Sequence, residues 1–492
     1  MTFSVADFAP LTLDLALLAG LVLVLVVDLD RAAGAGRVAG LLSAAILAAI
    51  FVASFFVDTS GSAFGGAYQG GAWALFFKRV FLFSGAVAAL GSVEHVEARH
   101  PRRQGEYYVL LLASLLGMTL LPGVRDLILL MVSFELMGIP LFVLAAWAKT
   151  DERHGAARYA PEGALKLYLV GVVSTATTLF GLSLVFGLSG TTNILRLGAA
   201  SSSPLLTAGL LLMVAGMGFK IGAVPFHSWV PDTYQAAGTP FVAFLSVAPK
   251  IAGFAALAVV LAIGFGSEPA AWRPTLIALS VASMLLGNLV ALAQTNVKRL
   301  LAYSGIGQIG YMLMAFAAVG PGGMRTLLFY TAAYATTNLG AFLVVEAVSA
   351  DGGDDSIASF AGLSRRSPAL ALAMLLFLLS LAGIPFVVGF WAKLYVFVAA
   401  WEAGLEWLVV LGAVLAVVGL FYYMQIARAM YMVPPSVPAR VRTGRALRAA
   451  LIVSIAGVVG AGLAPAPLFD DAARAAESLA PAPATETVAR VP

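Results

Sequence analysis

The stretch "LLLMVAGMGFKIGAVPF", Leu210–Phe226, sets a single lysine, Lys220, among sixteen residues that carry no charge. A run this apolar reads as a helix inside a lipid bilayer, where an ammonium costs about 2.5–3.5 kcal/mol on insertion scales. Gly218, Gly222 and Pro225 surround the lysine. Proline removes a backbone donor and glycine loosens a helix, so this helix is expected to break and to free carbonyls at membrane depth.

The remainder of the chain has the same character. Of 492 residues, 61% are hydrophobic and 11% charged, and the mean hydropathy is +0.95. A water-soluble core cannot cover that much apolar surface. Fourteen apolar runs of spanning length begin near Leu11, Val38, Trp73, Tyr107, Leu127, Ala164, Leu205, Phe241, Pro274, Leu301, Thr326, Ala369, Leu405 and Ala449. Runs of about twenty residues rich in Leu, Ala, Val and Gly suit helices, whereas barrel strands need only about ten. The expected fold is an all-α membrane bundle. Its first run has no basic leader, carries Asp14 and ends in Asp28 and Asp30 without a small-residue cleavage pattern. It is read as the first helix, not as a removed signal peptide.

No soluble domain interrupts residues 1–469; one of the longest loops is "SADGGDDSIASFAGLSRRSP", Ser349–Pro368. Residues 470–492 are rich in Ala and Pro and are expected to form a disordered tail. The twelfth run repeats the seventh, with Gly383, Pro385 and Gly389 ahead of Lys393. Interrupted helices in corresponding places predict two inverted five-helix repeats, helices 4–8 and 9–13, flanked by helices 1–3 and 14.

Net charge is +4, yet the basic residues are spread over loops and form no nucleic-acid-binding face. Odd-numbered loops hold most of them, including Arg37, Arg99, Arg102, Arg103, Lys149, Lys298, Arg365, Arg366 and Arg442. Even-numbered loops hold few, such as Arg125, Arg196, Arg273 and Arg325. By the positive-inside rule the odd loops face the cytoplasm and both termini face outward. Cysteine is absent, which excludes thiolate-held iron–sulfur clusters, Cys-zinc sites and disulfides within the chain. The histidines are His95, His100, His154 and His227; three fall in expected loops, and no pair has the spacing of a haem or metal site on one helix. No metal is expected.

Ionisable residues stand near the middle of apolar runs at Glu135, Lys220, Lys250 and Lys393. A structural reading pairs Glu135 with one lysine as a clamp between helices, and leaves two lysines without an acidic partner. A functional reading uses protonation: burial disfavours a charged amine and a nearby carboxylate restores it, so a lysine releases its proton when the carboxylate withdraws. A row of such groups is a proton relay. Glu135 would be the movable partner of Lys220, Lys250 the middle station and Lys393 the last, with ordered water between them. Lys166 lies a few residues inside the sixth run, as an inner relay member or a snorkelling interface lysine. Lys298 stands at a helix edge beside Arg299, where topology alone also explains it. His227 and Asp232 follow the seventh-helix break, as caps for freed backbone groups or as proton-uptake groups. Asp14, Asp28 and Glu346 fall near segment ends and are expected to be solvated.

"GFKIGAVPFHSWVPDTYQAAGTP", "VAPKIAGF", "NVKRLLAYSGIGQIGYML", "SFELMGIP" and "LAGIPFVVGFWAKLYVF" resemble the antiporter-like membrane subunits of respiratory complex I. Within them, the subunit N family of bacterial NADH-quinone oxidoreductase is the best match. A lysine in the twelfth helix, the wording "GFWAKLYVF" and the lack of a long lateral helix after the fourteenth run point there. Matched position by position, the resemblance assigns Glu135, Lys220, Lys250 and Lys393 to the family's relay. Two positions depart from the family pattern: Gln308 stands where histidine is common, and Phe386 replaces the second proline of "GIPP". A titrating group is therefore missing at 308, although glutamine can hold a water, and Phe386 is expected to soften the twelfth-helix break without removing it.

The resemblance implies a proton-translocating subunit in the plasma membrane of a bacterium, driven by quinone reduction in other subunits. Those partners, antiporter-like and small membrane subunits among them, belong to a complex whose flavin and iron–sulfur clusters are carried elsewhere. This chain offers no nicotinamide fingerprint or cofactor site of its own. Two other readings are a sodium/proton antiporter subunit without redox coupling, and a scaffold whose charges are structural clamps.

Overall fold

The computed structural model describes residues 5–29, 36–150, 156–199, 203–350, 354–435 and 440–479. The chain opens with α1 (Thr12–Leu29), α2 (Gly36–Ala53), α3 (Ala72–Arg99), α4 (Gln104–Leu120) and α5 (Leu127–Ala145). Then come α6 (Ala156–Ser189), α7 (Pro204–Ile221), the short α8 (Trp229–Ala236) and α9 (Thr239–Leu245), and α10 (Ala248–Ala258). The later part is α11 (Arg273–Ala291), α12 (Val297–Ala317), α13 (Gly320–Ala350), α14 (Leu363–Arg366), α15 (Pro368–Ala382) and α16 (Val388–Glu402). It closes with α17 (Glu406–Met432), α18 (Arg445–Leu463) and α19 (Ala466–Glu477). Two-residue strands at Ser62–Ala63 and Tyr68–Gln69 pair antiparallel between α2 and α3.

Among the described residues, twelve helical spans are long and apolar enough to cross a membrane. Each expected run begins on or beside a helix. The second and the twelfth fall on shorter apolar helices, 37–53 and 368–382. The core is central: 94% of the apolar window is buried in both α12 and α13, against 28% in the span 159–189 of α6. Several helix starts are fixed by side chains. Asp126 accepts from the backbone N–H of Ile128 and Leu129, Ser203 from Leu206, and Asn296 from Arg299, each satisfying donors that a helix N-terminus leaves free.

Glycine sets how closely neighbouring helices approach. A Cβ on Gly117 of α4 would lie 2.4 Å from the backbone nitrogen of Met137 in α5, and one on Gly287 of α11 2.4 Å from that of Gly307 in α12. Beside these contacts a serine crosses the gap each time. Ser114 Oγ donates to Met137 O at 2.8 Å, and Ser280 Oγ donates to Gly310 O at 2.6 Å.

The structure corrects three expectations. Residues 470–477 are not a disordered tail but the last two turns of α19, with Ala472, Ala475 and Ala476 buried. Asp471 pairs with Arg79 of α3 at 3.1 Å, and Phe469 packs on Tyr395 of α16 with ring centroids 4.2 Å apart. Residues 480–492 lie outside the described residues. Asp14 is not solvated: it is 4% exposed and hydrogen-bonded to Lys78, itself 1% exposed. Lys78 also donates to Pro10 O at 3.2 Å and stands 5.3 Å from the Tyr68 ring centroid. Glu346 is 3% exposed and bonded to His95 on α3.

Removing one partner of a buried ion pair strands the other charge, at a cost of about 3–5 kcal/mol. Lys78→Met is expected to lower the thermal unfolding midpoint of the detergent-extracted protein sharply, and the double variant Lys78→Met/Asp14→Asn to restore most of it.

Candidate functional site

Both helix breaks are built alike. α7 ends at Gly222, φ +76°, whose N–H and that of Ala223 return to Gly218 O at 3.0 and 2.9 Å. α15 ends at Gly383, φ +87°, whose N–H and that of Ile384 return to Leu379 O, each at 3.0 Å. A left-handed glycine closing a helix in this way turns the chain without a Cβ penalty. The twelfth-helix break persists with Phe386 in place of proline; Phe386 itself takes φ +78°, a conformation closed to a proline ring. The eighth span carries an interruption that the sequence reading lacks, at Ser246 and Val247 between α9 and α10. Lys250 falls in the first turn of α10.

Lys220 Nζ stands 5.7–5.9 Å from the ring centroids of Phe219, Phe134 and Phe142, a cation–π setting. Glu135 is not in contact with it. Its carboxylate accepts from Thr175 Oγ1 of α6 at 2.8 Å. Thr175 and Lys220 line one small cavity between α5, α6 and α7, so the hydroxyl that holds the acid faces the same gap as the amine. Both are half-buried. Glu135 lies on the exposed stripe of α5 that includes Ile128, Val132, Ile139 and Val143, the i, i+4, i+7 face.

Lys250 is 1% exposed, and its amine has no hydrogen-bond partner in the protein. Tyr234 Oη and Asn338 Oδ1 are likewise buried without one. Each such atom costs about 1–3 kcal/mol, and internal water satisfies groups of this kind. Around the amine, Tyr234 presents its ring face at 5.4 Å. The bare backbone of Gly305 faces it, since a Cβ there would lie 3.3 Å from Nζ and 2.9 Å from Tyr334 Oη. Asn338 Nδ2 donates to Tyr334 Oη at 3.0 Å and to Ser246 Oγ at 2.8 Å.

Lys393 shows what the broken helix is for. Its amine donates to Leu381 O at 2.8 Å and to Ala382 O at 2.9 Å, two carbonyls at the open end of α15. Gln308 Nε2 shares Leu381 O at 3.0 Å and donates to Tyr423 Oη at 3.1 Å. Tyr330 donates to Gln308 Oε1, and Ser304 Oγ lies 2.5 Å from Tyr423 Oη. A hydrogen-bonded route therefore runs from Lys393 through Leu381 O, Gln308 and Tyr423 to Ser304, next to the Gly305 that faces Lys250. Hydroxyls in such a route can both donate and accept.

The basic-loop end holds a separate constellation. Lys166 pairs with Asp232 at 2.8 Å and Glu162 at 2.9 Å, while Arg299 takes the other oxygen of Asp232 at 2.8 Å. Asp232 is thus an ion-pair hub and not a helix cap. Lys298, 3% exposed, donates to Ala237 O at 2.8 Å and pairs with Asp355 at 3.3 Å. Glu162, Lys166, Asp232, Lys298 and Asp355 line a cavity of about 510 Å³. His227 is half-buried in the turn between α7 and α8, joined neither to Asp232 nor to the lysine row.

The family described as "NADH:quinone oxidoreductase/Mrp antiporter, TM" matches residues 124–419, which contain Glu135 and all three lysines of the row. The chain belongs to this family. NADH-quinone oxidoreductase subunit N of Moorella thermoacetica is 41% identical over 429 residues, covering 85% of this chain and 87% of the relative. The same subunit of Desulforamulus reducens is 37% identical over 480 residues, covering 96% and 98%. A chain of respiratory complex I from Thermus thermophilus superposes with a TM-score of 0.79 at 32% identity, covering 93% and 98%. A chain of the Mrp complex from a Dietzia species reaches 0.86 at 21% identity, a likeness of fold. Tyr330, Tyr334 and Asn338, which the sequence reading passed over, recur every fourth residue on α13 and bond to Gln308, to Ser246 and to one another.

A side chain at Gly222 would be forced into the left-handed region, costing about 1–2 kcal/mol, with its Cβ 3.0 Å from Val230 Cγ2. Gly222→Ala is expected to lower thermal stability by that order in a melting experiment, whereas Gly187→Ala, where a Cβ meets open space, is expected to leave it unchanged.

Proposed function

We propose that this chain is the subunit N of an NADH-quinone oxidoreductase. It is the proton-translocating membrane part of the complex, and moves protons from the cytoplasm outward through Glu135, Lys220, Lys250 and Lys393 while quinone is reduced in other subunits. The observation that supports the relay is a buried Lys250 amine without a protein partner beside Gly305, whose neighbour Ser304 opens a polar network of Tyr423, Gln308 and Leu381 O that also holds the Lys393 amine. A clamp would require each lysine to hold a carboxylate, and none of these three does so among the described residues.

Glu135 supports a role at a subunit boundary, because a half-buried carboxylate on an otherwise apolar outward stripe, held among the described residues by Thr175 alone, is costly against lipid. Flavin and iron–sulfur centres belong to such partner subunits. The matched break geometry of α7 and α15, and the paired Gly/Ser contacts of α4 with α5 and α11 with α12, support two repeats of helices 4–8 and 9–13 within a fourteen-helix bundle. The basic loops support an orientation in which the cavity of Lys166, Asp232 and Lys298 faces the cytoplasm across a bacterial plasma membrane, with both termini outside. The high identity to subunit N chains disfavours the sodium/proton antiporter reading.

In the assembled complex, Glu135→Ala, Lys220→Ala and Lys250→Met are each expected to reduce proton uptake by inverted membrane vesicles to a minor fraction per quinone reduced. Undiminished uptake with intact assembly in Lys250→Met would overturn the relay.

A further inference from the structure

We infer that His95 and Glu346 form a proton-loading pair that feeds the lysine row from the basic-loop end. This inference rests on the proton-translocating reading above and adds two residues to it. His95 lies one turn before the end of α3 and Glu346 one turn before the end of α13. They are 8% and 3% exposed, and His95 Nδ1 lies 2.8 Å from Glu346 Oε1.

The second ring nitrogen faces Gly238. A Cβ on Gly238 would lie 3.1 Å from His95 Nε2, so only a glycine backbone separates the ring from what lies beyond. Gly238 and Ala148 belong to the walls of two cavities. One is the charged cavity of Lys166, Asp232 and Lys298; the other is a small internal one bounded by His95, His100, Tyr107 and Trp147. The pair therefore stands at the junction between a water-accessible basin and the protein interior. On the inner side, Glu346 Oε2 is buried with no protein partner. Glu346, Phe342, Asn338 and Tyr334 follow one another at intervals of four on α13, the spacing that aligns side chains along one helix face. The acid thus looks down a helix face toward Asn338 and the surroundings of Lys250. Phe342, packed on Tyr234 with centroids 5.8 Å apart, is the apolar plug between them.

The transfer conserves charge and protons. His95 Nε2 accepts a proton from the basin while Nδ1 releases its proton to Glu346 Oε1. A neutral imidazole and a neutral carboxylic acid remain. When the acid passes its proton inward, the carboxylate is restored, and the ring regains its Nδ1–H tautomer by exchange with water, one proton taken up at Nδ1 as one leaves Nε2. A purely structural clamp between α3 and α13 would need only the 2.8 Å contact, and would gain nothing from leaving Oε2 unpaired, since a buried unpaired oxygen is destabilising.

The test uses the whole complex in inverted vesicles, reading proton uptake per NADH oxidised alongside subunit content. His95→Gln keeps a donor to Glu346 but cannot carry a proton. It and Glu346→Gln are expected to assemble and to lose proton uptake per NADH. Gly238→Ala changes no titratable group and is compatible with the backbone at φ −59°. It is expected to slow uptake by wedging the gap, and it decides the matter if the other two variants do not assemble. Normal uptake in all three, with Lys250→Met still defective, overturns the loading pair and leaves the relay standing. Normal uptake in Lys250→Met as well overturns the proposed function itself.

Discussion

The chain is organised by the cost of a charge in hydrocarbon. An isolated ammonium or carboxylate in a low-dielectric interior is so unfavourable that it must be paired, solvated by internal dipoles, or allowed to lose its charge. The structure uses all of these answers. Lys78 is paired with Asp14 and Lys298 with Asp355. Lys393 is held by the carbonyl dipoles of a broken helix. Lys250 is given neither. Among the described residues, Lys220, Lys250 and Lys393 hold no carboxylate, whereas Lys78, Lys166 and Lys298 each hold one.

Backbone irregularity follows from the same constraint. A continuous helix consumes its own carbonyls and offers nothing to a lysine, whereas α15, stopped by Gly383, leaves Leu381 O and Ala382 O free. Gln308 ties the two sides of this region together: its amide spans Leu381 O on one side and Tyr423 on the other.

Much of this was legible in the sequence, and the reasons differ by residue. A charge inside an apolar run is conspicuous, so Glu135, Lys220, Lys250 and Lys393 could be found without a structure, and Gly–Pro punctuation exposed both breaks. Asp14 and Glu346 could not be read in this way. Each lies near the end of its apolar run, where solvation is the ordinary expectation, and each is buried by a partner far away in the chain, Lys78 and His95. Tyr330, Tyr334 and Tyr423 look like any aromatic of a core until their hydroxyls are seen to converge. The helix Ala466–Glu477 was hidden by an Ala- and Pro-rich composition typical of linkers, although Ala472, Ala475 and Ala476 have helical spacing.

That last helix has a practical consequence. It is pinned to α3 through Asp471 and Arg79, and to α16, the carrier of Lys393, through Phe469 and Tyr395. A fluorophore or spin label fixed on its exposed face would ride with α16 and not drift on a tether. The helix Ala466–Glu477 is thus a ready-made handle for watching the tilt of the helix that carries Lys393 while the complex turns over.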